Sequence, residues 1–248
     1  MSQKITVTGM VLSATPIGEY DKRLLILTKE RGKISVFARS ARKQNSVLMG
    51  VSNPFAFGKF QLYEGRTSYN LMQAEISNYF VELSADLESA YYGFYFMELA
   101  DYYTRESNDE SQMLRLLYRT LCALTKGKIP RKLVRYIYEI RSMVINGEFP
   151  DVFHCCNCGN GEELKWFSTK GDGVVCKDCV HAAEDAISLC PATVYTLQFI
   201  ATTPIDKLYS FVVSEEVLTE LEMVMGRYMA RHVDKGFKSL EILEMCTS

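Results

Sequence analysis

Apolar and polar positions alternate through the first 80 residues in the rhythm of short strands. Residues 4–13 set Ile5, Val7 and Val11 at alternate places, Arg23–Thr28 is an apolar run, and Ile34–Ala38 follows the turn Lys29–Gly32. Two further β-like stretches, Pro54–Glu64 and Thr67–Ile76, flank Gly65-Arg66 at the position of a tight turn. Consecutive hairpins of this length predict a small closed barrel, for which the OB-fold is the commonest five-stranded solution. From Val81 the period lengthens, and helices are expected over Val81–Ser107, Asp109–Leu124 and Arg131–Ile145. Pro130 stands just before the third and Asn146-Gly147 ends it. Residues 150–185 break the helical pattern with glycines and paired cysteines, and helices resume after Pro191 and over Ser214–His232. The fold class is therefore α+β and multidomain. An OB-fold barrel is expected over residues 1–80 and a helical domain over 81–248, with an insertion at about 150–185.

The insertion carries Cys155-Cys-Asn-Cys158 and Cys176-Lys-Asp-Cys179, two CxxC pairs 17 residues apart. Two tight knuckles at this spacing present four thiolates to one tetrahedral ion, so Cys155, Cys158, Cys176 and Cys179 are the expected ligands of a structural Zn2+, and the insertion is a zinc ribbon. A redox-active CxxC, an iron–sulfur cluster and incidental buried cysteines stay open as alternatives, as do Cys156, His154 or His181 in place of one ligand. A four-thiolate site is coordinatively closed and offers no position on which water is activated.

Apolar residues make up 48% and charged residues 23% of the chain, as in ordinary folded proteins. The opening alternates as a strand does, without a secretory signal, and the longest uncharged run, Ala186–Ile205, is interrupted by Pro191, Gln198 and Pro204. No membrane association is expected. Eight cysteines in such a chain fit a reducing compartment, with the cytoplasm as the default.

The net charge of −2 conceals an asymmetry. Residues 1–80 hold 11 lysines and arginines against 5 acidic residues, a net +6, so that the remainder carries −8. A basic barrel on an acidic scaffold fits a nucleic-acid module. Its candidate contacts are Lys22, Arg23, Lys33, Arg39, Arg42, Lys43 and Arg66, interleaved with Phe37, Phe60, Tyr63 and Tyr69. Cations would meet phosphates while aromatic faces stack on bases, although the alternation puts Phe37 and Phe60 in the barrel core. Arg39, Arg42 and Lys43 follow a strand and fit a phosphate-contacting loop. A second cluster, Lys128, Arg131, Lys132 and Arg135 beside Lys126, sits at the start of the third helix, where a solvated helix end is the alternative. The stretch Tyr91–Phe96 with Tyr102 and Tyr103 reads as helix core, with a peptide-binding groove as the sharper alternative.

Catalytic machinery is not visible. Gly32-Lys33, Gly58-Lys59 and Gly127-Lys128 lack the Ser or Thr of a phosphate-binding P-loop, and none of the three histidines is followed two residues on by Glu. A non-enzyme is expected.

At this point the chain resembles the RecO family of bacterial recombination mediators. The resemblance is carried by Gly9–Leu12, Gly18-Glu-Tyr-Asp21, Gly32–Lys43, Tyr138-Glu-Ile-Arg141, Asn146–Pro150, His154–Gly159 and Gly173–Cys179. It implies an OB-fold followed by a helical domain with a zinc-ribbon insertion. It further implies binding of single- and double-stranded DNA, annealing of complementary strands, and work with RecR to load RecA onto DNA coated by single-strand-binding protein. Binding of that protein's acidic C-terminal tail on the helical domain, and a place in the bacterial cytoplasm at the nucleoid, are also implied. The alternative is a zinc-stabilised protein-interaction adaptor without direct DNA annealing. Two departures stand out: Ser40 occupies the place of the family's glycine before the basic loop, and Glu139-Ile-Arg-Ser-Met replaces the usual arginine-leucine helix before the cysteines.

Overall fold

The computed structural model describes residues 3–66 and 68–247. Five strands, β1 (Gln3–Ile17), β2 (Asp21–Thr28), β3 (Gly32–Ala38), β4 (Phe57–Glu64) and β5 (Tyr69–Asn78), close into a barrel in the order β1-β2-β3-β5-β4. This is the connectivity of the expected OB-fold. The first strand is longer than the alternation indicated because it serves two partners. Its beginning pairs with β4, Val7 opposite Phe60, and its end pairs with β2 through Ile17 opposite Asp21, with a bulge between Val11 and Ser13. Such a bulge bends a strand, which is how one strand turns a barrel corner. Closure comes from the parallel pairing of Val36 with Tyr69 and Phe37 with Asn70. Thr67, the expected start of the fifth strand, lies outside the described residues.

Period-two alternation fills the barrel. Ile34, Val36 and Ala38 point inward from β3, and Phe60 and Leu62 from β4, all fully buried. Burial of Phe60 alone contributes roughly 2–3 kcal/mol. Phe37, on the opposite face of β3, is only half-buried, contrary to its assignment to the core.

The helix expected from Val81 to Ser107 is interrupted. A 3-10 turn over Val81–Ala85 ends at Asp86, which is extended at φ −138° and caps α1 (Leu87–Tyr103) by accepting the Ser89 N–H at 3.1 Å. An aspartate satisfying a first-turn amide favours a fresh start over a continuous helix. Tyr92, Tyr95, Phe96 and Tyr103 are buried in α1, in line with the core reading of the aromatic stretch, whereas Phe94 is exposed and Tyr91 and Tyr102 are half-buried. α2 (Ser111–Lys126) follows, and α6 (Lys238–Thr247) returns to lie against α1, where Ser239 bonds Glu98.

The chain divides into two compact units, one running to Thr125 and rejoined by the segment from Phe237, the other Lys126–Gly236. The second contains α3 (Arg131–Asn146), α4 (Pro191–Thr202) and α5 (Glu215–His232), with a three-stranded sheet of β6 (Leu164–Ser168), β7 (Gly173–Cys176) and β8 (Ile187–Ser188) in the order β7-β6-β8. Gly147 ends α3 in the left-handed conformation, φ +73°, and the following Glu148 N–H returns to Met143. Buried Arg141 donates through Nη1 to the carbonyls of Ile200 and Ala201, so a cation closes the C-terminal end of α4 where the helix dipole favours it. Among the described residues no helix is long and apolar enough to cross a membrane.

Candidate nucleic-acid interface and metal centre

The segment between β3 and β4 opens at Ser40, whose backbone is left-handed at φ +56° and whose N–H donates to Asp21 Oδ1 at 2.7 Å. A serine thus holds the conformation for which glycine is usual, and the Asp21 hydrogen bond offsets part of that strain. Arg42 then donates its N–H to the Tyr20 carbonyl at 2.8 Å and its guanidinium to the Gly18 carbonyl at 3.2 Å. The Lys43 ammonium lies 5.0 Å from the centre of the Tyr20 ring, which is 42% exposed. Tyr20 was not singled out from sequence as a contact residue, and its only signal was its place in Gly18-Glu-Tyr-Asp21. Arg39, Arg42 and Lys43 are all exposed.

Below this rim the segment is held tightly. Ala41 and Leu48 join the barrel core. Lys22 Nζ donates to Ser52 O at 3.1 Å and to Asn53 Oδ1 at 2.8 Å, while Asn53 Nδ2 bonds back to Met49 O. Burial, and secondarily the neighbouring Arg42 charge, push the Lys22 amine below its ordinary range. Lys22 is therefore a strut of the loop.

The other cations differ in availability. Arg23 is exposed and donates to Ser35 Oγ at 2.8 Å; Arg66 is exposed at the β4–β5 bend. Lys33 is mostly buried, 17% exposed, and its amine is 2.7 Å from Asp101 Oδ1. In the second unit, Lys128 is exposed, Arg131 is half-buried and Lys132 lies 3.3 Å from Glu222. Arg135 is 17% exposed and pairs at 2.7 Å with the fully buried Glu139. Charges sequestered this way inside the protein are unavailable to a phosphate.

Cys155, Cys158, Cys176 and Cys179 converge, their sulfurs all within 4.8 Å of one another. Each pair sits on a tight turn: Cys155 donates to Asn160 O and its carbonyl accepts from Gly159, while Cys179 donates to Cys176 O. The Cys158 and Cys176 sulfurs are 3.7 Å apart, far beyond a disulfide. Four thiolates at about 2.3 Å from one ion in a tetrahedron are about 3.8 Å from each other. Burial opposes ionisation of Cys155, but the N–H groups of Cys176, Asn157 and Cys158 outweigh it and bring its pKa to about 6. Cys179, hydrogen-bonded to the Cys158 and Cys176 sulfurs, is pushed up to about 12. Four sulfurs converging at this spacing form a donor set that fits a tetrahedral divalent ion.

Cys156 turns away, its N–H on Val174 O, and neither His154 nor His181 joins the sulfur cluster among the described residues. His154 pairs with Asp151 at 3.2 Å. His232 contacts Asp172 at 2.9 Å and stacks on Tyr228. A second grouping, Cys190 with Glu216 and Glu220, is explained by capping, since the Cys190 N–H at the start of α4 donates to the Glu220 carboxylate at 2.9 Å. The second unit also holds an apolar pocket of about 550 Å³ lined by Tyr195, Phe199, Phe211, Val212 and Val217.

Comparison with known proteins places names beside this geometry. Residues 1–80 match the family described as "Recombination protein O N terminal", and residues 84–241 match "Recombination protein O C terminal". The chain is 30% identical over 240 residues to the DNA repair protein RecO of Alkaliphilus metalliredigens, covering 96% of this chain and 98% of that one. It is 28% identical over 242 residues to that of Acetivibrio thermocellus, covering 97% and 96%. For that of Bacillus subtilis the identity is 28% over 240 residues, covering 97% and 94%.

Proposed function

Since the chain belongs to the RecO family of DNA repair proteins, we propose that it is a non-catalytic recombination mediator. In this reading it binds single- and double-stranded DNA, anneals complementary strands and, with RecR, helps load RecA onto DNA coated by single-strand-binding protein. The observation that carries the reading is the rim of exposed cations Arg39, Arg42 and Lys43, held in place by a braced loop on a five-stranded barrel. Preorganised cations neutralise phosphates without first losing loop entropy. Arg23 and Arg66 extend the positive surface of the barrel, while Lys22 and Lys33 brace it. In the second unit exposed Lys128 offers complementary charge to the acidic tail of single-strand-binding protein or to further phosphates, while Lys132 shares its charge with Glu222.

The proposed metal is Zn2+ held by Cys155, Cys158, Cys176 and Cys179. When bound it supplies a structural cross-link with no open coordination position. The setting is the bacterial cytoplasm, at the nucleoid.

The test follows annealing of two complementary dye-labelled DNA strands, without nucleotide, across a salt series, for wild type and for R39E/R42E/K43E. Metal content is measured on both proteins. Salt-sensitive annealing that the triple variant loses while retaining its metal supports the reading. Absence of annealing by metal-loaded wild type favours the adaptor, for which the apolar pocket at Tyr195 and Val212, 66% and 64% exposed, is a ready surface.

A further inference from the structure

The segment that carries the basic rim also carries an apolar tip. Val47 is 86% exposed and Met49 is 48% exposed, yet Leu48 between them is buried in the barrel core. Exposure of this kind in a mobile loop would mean little. Here a chain of short-range bonds fixes the segment: Lys43 N–H to Ser40 O, Ser46 N–H to Lys43 O, Met49 N–H to Ser46 O, and Leu48 N–H to Ser46 Oγ. Lys22, Ser52 and Asn53 lock its far side. The Leu48 anchor forces its two neighbours outward, so the protein presents two apolar side chains to water on a rigid support a few residues beyond Arg39, Arg42 and Lys43.

We propose that Val47 and Met49 contact the unpaired bases of single-stranded DNA whose phosphates lie on the adjacent cations. This rests on the DNA-binding reading above and adds to it a distinction between single strands and duplex. The occupant follows from charge: an apolar tip beside three exposed cations suits a ligand that is anionic along one edge and apolar along the other, and a single strand has that character. In a duplex the bases are stacked inward and only the phosphates meet the rim. Proteins that insert apolar side chains against bases unstack them, so the tip also separates neighbouring bases, leaving them available to pair with a second strand.

The experiment measures binding by the full chain to three ligands of equal length: a mixed-sequence single strand, a fully abasic single strand, and a blunt duplex. Wild type is compared with V47S/M49S, with the single variant V47S at the most exposed position, and with R39E/R42E/K43E; thermal unfolding checks the fold of each. Wild type prefers the base-bearing strand over the abasic one. V47S/M49S loses about tenfold in affinity for the base-bearing strand, as expected for removing a modest apolar contact, with V47S in between, and both bind the abasic strand and the duplex as wild type does. The triple charge variant loses all three. Equal binding of every ligand by V47S/M49S and wild type overturns the inference, as does an equal loss on all three. Failure of wild type to bind any of them overturns the DNA-binding reading itself.

Discussion

Gly32 shows how much one residue can hold in this fold. It begins β3 at φ +65°, and a Cβ there would lie 2.3 Å from the Arg105 carbonyl oxygen. That approach is built in, because Lys33 donates its N–H to the same carbonyl and Ser107 donates to Arg31 O, stitching the segment after α1 to the β2–β3 turn. Gly18 has a similar φ of +55° but open space around it. Gly18→Ala should therefore cost about 1–2 kcal/mol for the left-handed backbone. Gly32→Ala should add about 1–3 kcal/mol of steric strain to a similar figure. Urea unfolding midpoints of the two variants decide it, and equal losses would show that the carbonyl moves aside freely. At this scale the sequence was informative where chemistry dictates spacing. The convergence of the four cysteines was legible because a tetrahedral site constrains the spacing of its candidate ligands. Lys33 was misleading because its partner, Asp101, lies 68 residues away and no local pattern announces it. Arg135, expected to be a DNA contact, instead pairs with Glu139 four residues on, and the burial of Glu139 shows that this cation is held inside the protein.

Elements were legible to the extent that their period is set by one buried face. The barrel strands follow from period two, and α3 from its amphipathic stripe and Gly147 stop. The break before α1 was missed because Val81–Ser89 contains no Gly or Pro and is rich in helix formers such as Glu82, Leu83, Ala85, Leu87 and Glu88, so that only the Asp-x-x-Ser spacing of Asp86 and Ser89 marks the new start. The ribbon strands were also missed: β7 has four residues and β8 two, too short for a period to register. Val174 and Val175 of β7 are nonetheless fully buried with Phe167 of β6, and a metal held by the four cysteines would add its ligation energy to that burial. Trp166, the chain's single tryptophan, sits in β6 opposite Val175 and Ser188 and reports on this module. Addition of a strong chelator to metal-loaded protein, or Cys176→Ser, should shift Trp166 emission to the red and speed amide exchange in β6 and β7. The helical circular dichroism should change little, because α3, α4 and α5 bury their own apolar faces. Simultaneous loss of helix signal and Trp166 environment would show that the metal centre and the helices unfold as one.

At the scale of the molecule, the net +6 of residues 1–80 was readable from the chain, but the useful quantity is how much of that charge remains available to a phosphate. Lys22 is committed to Ser52 and Asn53, Lys33 to Asp101, and Arg31 lies 3.4 Å from Glu64. Arg39, Arg42 and Lys43 remain exposed on one braced segment. Each phosphate neutralised on a single strand contributes about 0.7 to the slope of log affinity against log salt, whatever the DNA sequence. Neutralising the three together, in R39Q/R42Q/K43Q, should lower the magnitude of that slope by about 2. Lys33→Gln should leave the slope unchanged, because its charge is already compensated within the protein, and should instead weaken the hold of Asp101 on β3. Fluorescence titrations at four or more salt concentrations distinguish the two. A slope that falls with Lys33→Gln but not with the triple variant would mean that the DNA path runs over another face of the barrel. The basic rim would then be only a solvated surface.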